Sequence, residues 1–236
     1  MDTQRLTCSA LVLTAAACIS SAPATAPEAA PAPGSEPAPA PAPAPEQPVE
    51  YRLPVDGTWI VSQGYHGSES HHGRAAYALD LVKLGDDGHA HEGDGTHLDD
   101  WHSFGAAVLA SAGGVVVRAI DRFEDNRVMG RGKRTNTVII RHGDVYSEYV
   151  HLQRRSLRVR EGERVATGQV LARAGNSGCQ TPHLHWALLS SLEPIRSRPA
   201  SLAFEVLGAS GDFRAMAGAP SEGATIRPRL VAKDTK

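Results

Sequence analysis

The chain has 236 residues, enough for one large or two small domains, and balances 24 Lys and Arg against 26 Asp and Glu for a net charge of −2. With no basic cluster, this near-neutral balance argues against nucleic acid as a partner. Three cysteines, Cys8, Cys18 and Cys179, exclude a disulfide-framework fold.

In chain order, Arg5 precedes the apolar run Leu6 to Ala17. The run is too short to span a bilayer as a mature helix but has the length of a signal-peptide core. It ends Ala15-Ala16-Ala17-Cys18, which resembles the lipobox of bacterial lipoproteins, where the cysteine is lipidated and becomes the new N-terminus. Asp2 offsets Arg5, and Ala15 stands where that motif usually has Leu. A rival cleavage site follows Ala24-Thr25-Ala26. The resemblance implies export, lipidation at Cys18, and anchoring in the cell envelope on the periplasmic side of an outer membrane. Residues 1–18 are thus expected to be signal and lipobox. Residues 19–49 form a Pro-Ala tract that favours polyproline II, a semi-rigid spacer rising roughly 3.1 Å per residue.

Residues 50–207 are expected to form the globular domain, and residues 208–236, small and charged, a flexible tail. Within the domain the pattern is short apolar strands and glycine turns, with little helical periodicity. Thr58–Ser62 and Tyr77–Val82 read as the first strands. Ala107–Ala110 and Val115–Ala119 flank Gly113-Gly114, a tight-turn signature. Asn136–Arg141 and Tyr146–Leu152 flank His142-Gly143-Asp144, and Val170–Arg173 and His183–Leu189 follow. Strands this short and regular predict an all-β domain, mainly antiparallel. The polar run Gly85–Gly105 holds His89, His91, His97 and His102 and reads as a long solvated loop, its Asp94, Thr96 and Asp99 too irregular for a calcium loop.

Chemistry is expected where side chains alternate in Pro182-His183-Leu184-His185-Trp186: in a strand, His183 and His185 project from one face. His71, His72, Asp80 and His151 supply further groups of the kind hydrolytic zinc uses, three protein ligands and one open position. Cys179 lies nearby and reads as a small buried residue without a role.

Several blocks, in order, resemble the M23 family of zinc endopeptidases, the lysostaphin or LytM type that cuts peptides of bacterial cell wall. They include Ser70-His71-His72-Gly73, Tyr77-Ala78-Leu79-Asp80, Tyr149-Val150-His151-Leu152, Gly175-Asn176-Ser177-Gly178 and Pro182-His183-Leu184-His185. The resemblance implies one Zn2+ held by His71, Asp80 and His185, and a catalytic pair, His151 and His183. It also implies peptidoglycan peptides as substrate. Two positions depart from the compact pattern: nine positions separate His71 from Asp80, and Trp186 stands where Phe is usual. A longer variant of the motif, with Ser-His-x-Gly before Tyr-Ala-x-Asp, selects His71 over His72.

Three other readings stand beside this one, the last a sugar- or peptidoglycan-binding module with an incidental metal, which stoichiometric zinc without hydrolysis would favour. M23-like domains that have lost their metal ligands bind and activate a cell-wall amidase, but here all five positions are filled. The stretch Val159–Ala174 resembles the glycine-turn strands of biotinyl and lipoyl carriers, yet Glu161-Gly162-Glu163 offers no lysine at the tip.

Overall fold

The computed structural model describes residues 51–130 and 132–229, so the expected signal, Cys18 and the Pro-Ala spacer lie outside the described residues. The strands are β1 (Tyr51–Arg52), β2 (Trp59–Gln63), β3 (Ala78–Lys83), β4 (Ala107–Leu109), β5 (Gly114–Ile120), β6 (Thr137–His142) and β7 (Val145–Val150). They continue as β8 (Arg164–Val165), β9 (Val170–Arg173), β10 (Leu184–Leu192), β11 (Ile195–Arg198), β12 (Leu202–Leu207), β13 (Phe213–Gly218) and β14 (Thr225–Pro228). Among the described residues the helical elements are two 3-10 turns, Gly73–Ala75 and Leu98–Asp100. The domain is therefore all-β and, apart from the parallel β1–β12 pair, its ladders are antiparallel.

One long sheet runs in the order β1-β12-β14-β2-β3-β10-β7-β6-β5-β8, and β4 pairs β9 in a second, small sheet. Alternation along β10 sorts its side chains. Leu184, Trp186 and Leu188 enter the main core with Leu79, Leu81, Tyr149, Val138 and Ile140. Ala187 and Leu189 join Ala78 in a smaller cluster on the opposite face. Trp59 and Trp186 are fully buried, and each large apolar side chain so placed contributes roughly 1.5–3 kcal/mol. The core therefore fixes β10 between β3 and β7. A one-residue slip would turn Leu184 and Trp186 onto the polar face, so the register is strongly specified.

Two expectations are corrected. Gly113-Gly114 does not join a hairpin: β4 pairs β9 while β5 pairs β6 and β8, so the strands on either side enter different sheets. The turn signature marks instead a close approach, since a Cβ on Gly114 would lie 2.3 Å from the Arg141 carbonyl oxygen. The stretch after residue 207 is not a tail as far as Pro228. β13 pairs β12, and β14 bridges β12 and β2, with Ile226 fully buried. Its small, polar composition hid the strands because backbone pairing, more than side-chain burial, holds them.

Candidate functional site

The β3–β10 register sets His185 directly opposite Asp80, and β7 sets Val150 on the other flank of His185. The loop between β2 and β3 delivers His71, whose side chain is fully buried. His71, Asp80 and His185 thereby bring their donor atoms within 4.8 Å of one another. His72 is exposed and lines the neighbouring groove, so the two adjacent histidines occupy different environments.

Asp80 is the hub of this group. Its Oδ1 lies 2.8 Å from His185 Nδ1, 3.2 Å from His71 Nε2 and 3.7 Å from His183 Nε2. Its Oδ2 accepts a hydrogen bond from Gln63 Nε2 at 3.0 Å. Burial alone would raise its pKa, but the hydrogen bond from His185 and the close approach of His71 and His183 hold it well below the usual carboxylate range. Burial pushes the pKa of His71 down instead, and contact with Asp80 more than offsets this and raises it.

His71 donates its Nδ1 proton to the Gly64 carbonyl at 2.8 Å, which turns the Nε2 lone pair toward Asp80 and His185. That Nε2 is buried and, despite its distance to Asp80, lacks an aligned hydrogen-bond partner. An orphaned buried nitrogen beside a carboxylate and a second imidazole fits a zinc ion: two nitrogens and one oxygen of the types that metal takes, oriented by outer hydrogen bonds.

His151 and His183 are fixed by a different device. His151 donates Nδ1–H to the Ser177 carbonyl at 2.8 Å, and His183 donates to the Thr181 carbonyl at 2.9 Å. Both Nε2 atoms are left as lone-pair acceptors. Burial, followed by the neighbouring His183 and His185, pushes the pKa of His151 down to about 3. Burial also lowers that of His183, against the pull of Asp80. The two rings lie 4.7 Å apart between centroids. His151 has φ 65°, a left-handed conformation that costs a non-glycine residue about 1–3 kcal/mol and must be held by its surroundings. Gly175 helps to hold it: its N–H donates to the His151 carbonyl at 2.9 Å, and it bridges to His183.

Sequence reasoning missed Gln63. Its Nε2 holds Asp80 and Ser70, while its Oε1 accepts from the backbone N–H groups of Glu69, Ser70 and His71. It ties the segment carrying one histidine to the carboxylate, and nothing in a strand-ending Gln signals this. Cys179, assigned no role, lies beside His151 and His183 with its thiol pKa raised by burial and by Asp80 and Asp125. Its Sγ donates to Asn176 Oδ1 at 3.1 Å. Among the described residues His89, His91, His97 and His102 do not gather as a metal group.

The site opens on a groove of about 550 Å³. His151, His185, Val150, Ala187 and Glu148 line its floor, with Arg74, Ile195, Lys133 and Thr135 around them.

Residues 96–197 match the family described as Peptidase family M23. That segment contains His151, His183 and His185 and leaves His71 and Asp80 outside it. The chain is 29% identical over 153 residues to peptidoglycan DD-endopeptidase ShyA of Vibrio cholerae, covering 64% of this chain and 30% of that protein. It is 35% identical over 114 residues to murein hydrolase activator NlpD of Escherichia coli, covering 47% and 27%. The chain thus spans less than a third of the length of these two relatives. It is 37% identical over 101 residues to lipoprotein NlpD of Yersinia enterocolitica, covering 41% of this chain and 94% of that protein. With nearly all of one relative covered at this identity, and with the M23 segment in place, the chain belongs to peptidase family M23.

Proposed function

We propose that this protein is an exported, lipid-anchored zinc endopeptidase that hydrolyses cross-links or stem peptides of bacterial peptidoglycan. The observation that carries the reading is the pairing of two unlike groups: a carboxylate-centred donor set (His71, Asp80, His185) and, a few ångströms away, two neutral imidazoles with free Nε2 atoms. Zinc held by the donor set would supply Lewis acidity to a scissile carbonyl and to an attacking water.

The chain's own residues supply the rest. His183, with Nδ1–H committed to Thr181, presents Nε2 as general base and takes a proton from water as its oxygen attacks the carbonyl carbon. The imidazolium so formed returns that proton to the departing amine. His151 Nε2 accepts a hydrogen bond from the same water and holds it on line. Because burial keeps both rings neutral near pH 7, each can accept without first losing a proton.

A lipid anchor at Cys18, an envelope location and the spacer role of residues 19–49 belong to this proposal, supported by the lipobox resemblance and by relatives named as lipoproteins. A second reading, an activator of a cell-wall amidase, is favoured by the similarity to proteins named murein hydrolase activator. The filled donor set favours catalysis.

The test is incubation of the zinc-loaded chain with purified cross-linked muropeptides, products followed by mass, with His183→Ala alongside. Cleavage by the parent and not by the variant is expected. One bound zinc without cleavage would overturn the enzyme reading, and an amidase-activation assay would then test the other.

A further inference from the structure

Glu148 occupies the middle of β7, opposite Ala187 of β10 and Ile139 of β6. It faces the same side of the sheet as His185, on the groove floor among Val150, Ala187 and Leu189. Strand propensity and its apolar neighbours would favour Val, Ile or Thr there. Among the described residues its carboxylate makes no hydrogen bond and no ion pair within 4.0 Å, although Arg74 borders the same groove. The mechanism above does not use it. A carboxylate on this half-buried floor, with no cation in contact and only Arg74 and Arg118 acting on it from a distance beside His185, costs more stability than it contributes.

We infer that Glu148 is a specificity-determining residue that receives a primary ammonium group of the bound peptide. This rests on the reading of the groove as a peptide site. His185 pairs with Val150 across the ladder, and Glu148 lies two residues back along β7, roughly 7 Å at about 3.3 Å per residue. An extended peptide advances by a similar amount per residue. The ammonium therefore belongs within about two residues of the scissile bond. Two sources share this chemistry: the free amino terminus of a short bridge, and the side-chain amine of a diamino acid in a stem.

The experiment measures equilibrium binding by calorimetry, and cleavage where it occurs, with the full zinc-loaded chain. The probes are pentaglycine with a free or acetylated amino terminus, and a stem-peptide dimer with its diamino-acid amine free or acetylated. In the parent, acetylation should weaken binding about tenfold for the source the groove selects. Glu148→Gln should bind the free-amine peptide about tenfold more weakly and the acetylated one unchanged, raising KM and leaving kcat. Glu148→Asp should recover part of the preference, and unaltered thermal unfolding would show that Glu148→Gln folds. Equal weakening for free and acetylated probes would overturn the inference, as would Arg74→Ala reproducing the effect of Glu148→Gln, which would make Glu148 a prop for Arg74. Failure of every probe to be cleaved would count against the enzyme reading alone, because the acetylation preference is read from binding.

Discussion

The two halves of the site hold their histidines by opposite means. On the β3 side, His71 and His185 converge on the Asp80 carboxylate, which stays ionised between them. On the far side, His151 and His183 are each anchored to a backbone carbonyl, which orients the ring without offering it a charge, and burial keeps it neutral. One protein thus places a charged pocket and a pair of neutral proton acceptors side by side by choosing a different acceptor for each ring. A carboxylate favours the cationic ring, and a carbonyl in a desolvated setting much less so.

The largest expected effect comes from breaking the neutral half. His183→Ala should lower peptide cleavage by roughly 10²–10⁴-fold while zinc content, read by atomic absorption, stays at the parent's level. Breaking the charged half gives the converse. Gln63→Leu should weaken zinc affinity by roughly 10–100-fold in a chelator competition and leave cleavage near normal once zinc is saturating. If both variants lost zinc and activity together, the two halves would not be separable. Gly175→Ala probes the joint between His151 and His183. A Cβ there would lie 2.4 Å from the Gln153 backbone, so a loss of about 1–3 kcal/mol is expected in urea unfolding, with activity falling further than stability.

The smallest effect concerns a histidine outside the site. His142 is buried, with Nδ1 on the Gly113 carbonyl at 2.7 Å and Nε2 on Ser147 Oγ at 2.7 Å, and burial depresses its pKa below 6.5. The unfolded chain takes up a proton near pH 6.5 that native His142 refuses. Its stabilising contribution is therefore full above that pH and is lost as pH falls toward the depressed native value. His142→Gln should flatten that decline by at most about 1.4 kcal/mol per pH unit, measured as the difference between parent and variant unfolding at pH 7.5 and pH 5 in saturating zinc.

Much of the sheet was legible because its strands are short runs rich in Val, Ile and Leu set off by glycine turns, and β2, β3, β4, β5, β6, β7, β9 and β10 lie within a few residues of their expected bounds. The hairpin at Gly143-Asp144 was legible too, since His142 pairs Val145 across a two-residue turn. What stayed hidden mostly lacks a side-chain signature: β8 is two residues long, and β13 and β14 set single large apolar residues such as Phe213 and Ile226 among Arg, Ala, Gly and Thr; β12, LAFEVL, does alternate and was missed all the same. At the site, His71, Asp80, His151, His183 and His185 could be named from motifs, and the structure brings them together. Gln63 and Glu148 could not, because each matters through where the register puts it and neither residue type announces a role in a strand.

The pairing of β14 with β2 bears on where this domain can be cut. Thr225 and Ile226 lie opposite Ile60 and Trp59, and the Val61 N–H and carbonyl bond the Ala224 carbonyl and the Gly223 N–H. A truncation after residue 207, natural from composition, would strip that cover. It would leave the WIVSQ strand as an open edge of unpaired backbone groups, a template for joining another chain. Such a fragment should precipitate or associate in solution, and Gln63, at the end of that same strand, would lose its firm footing.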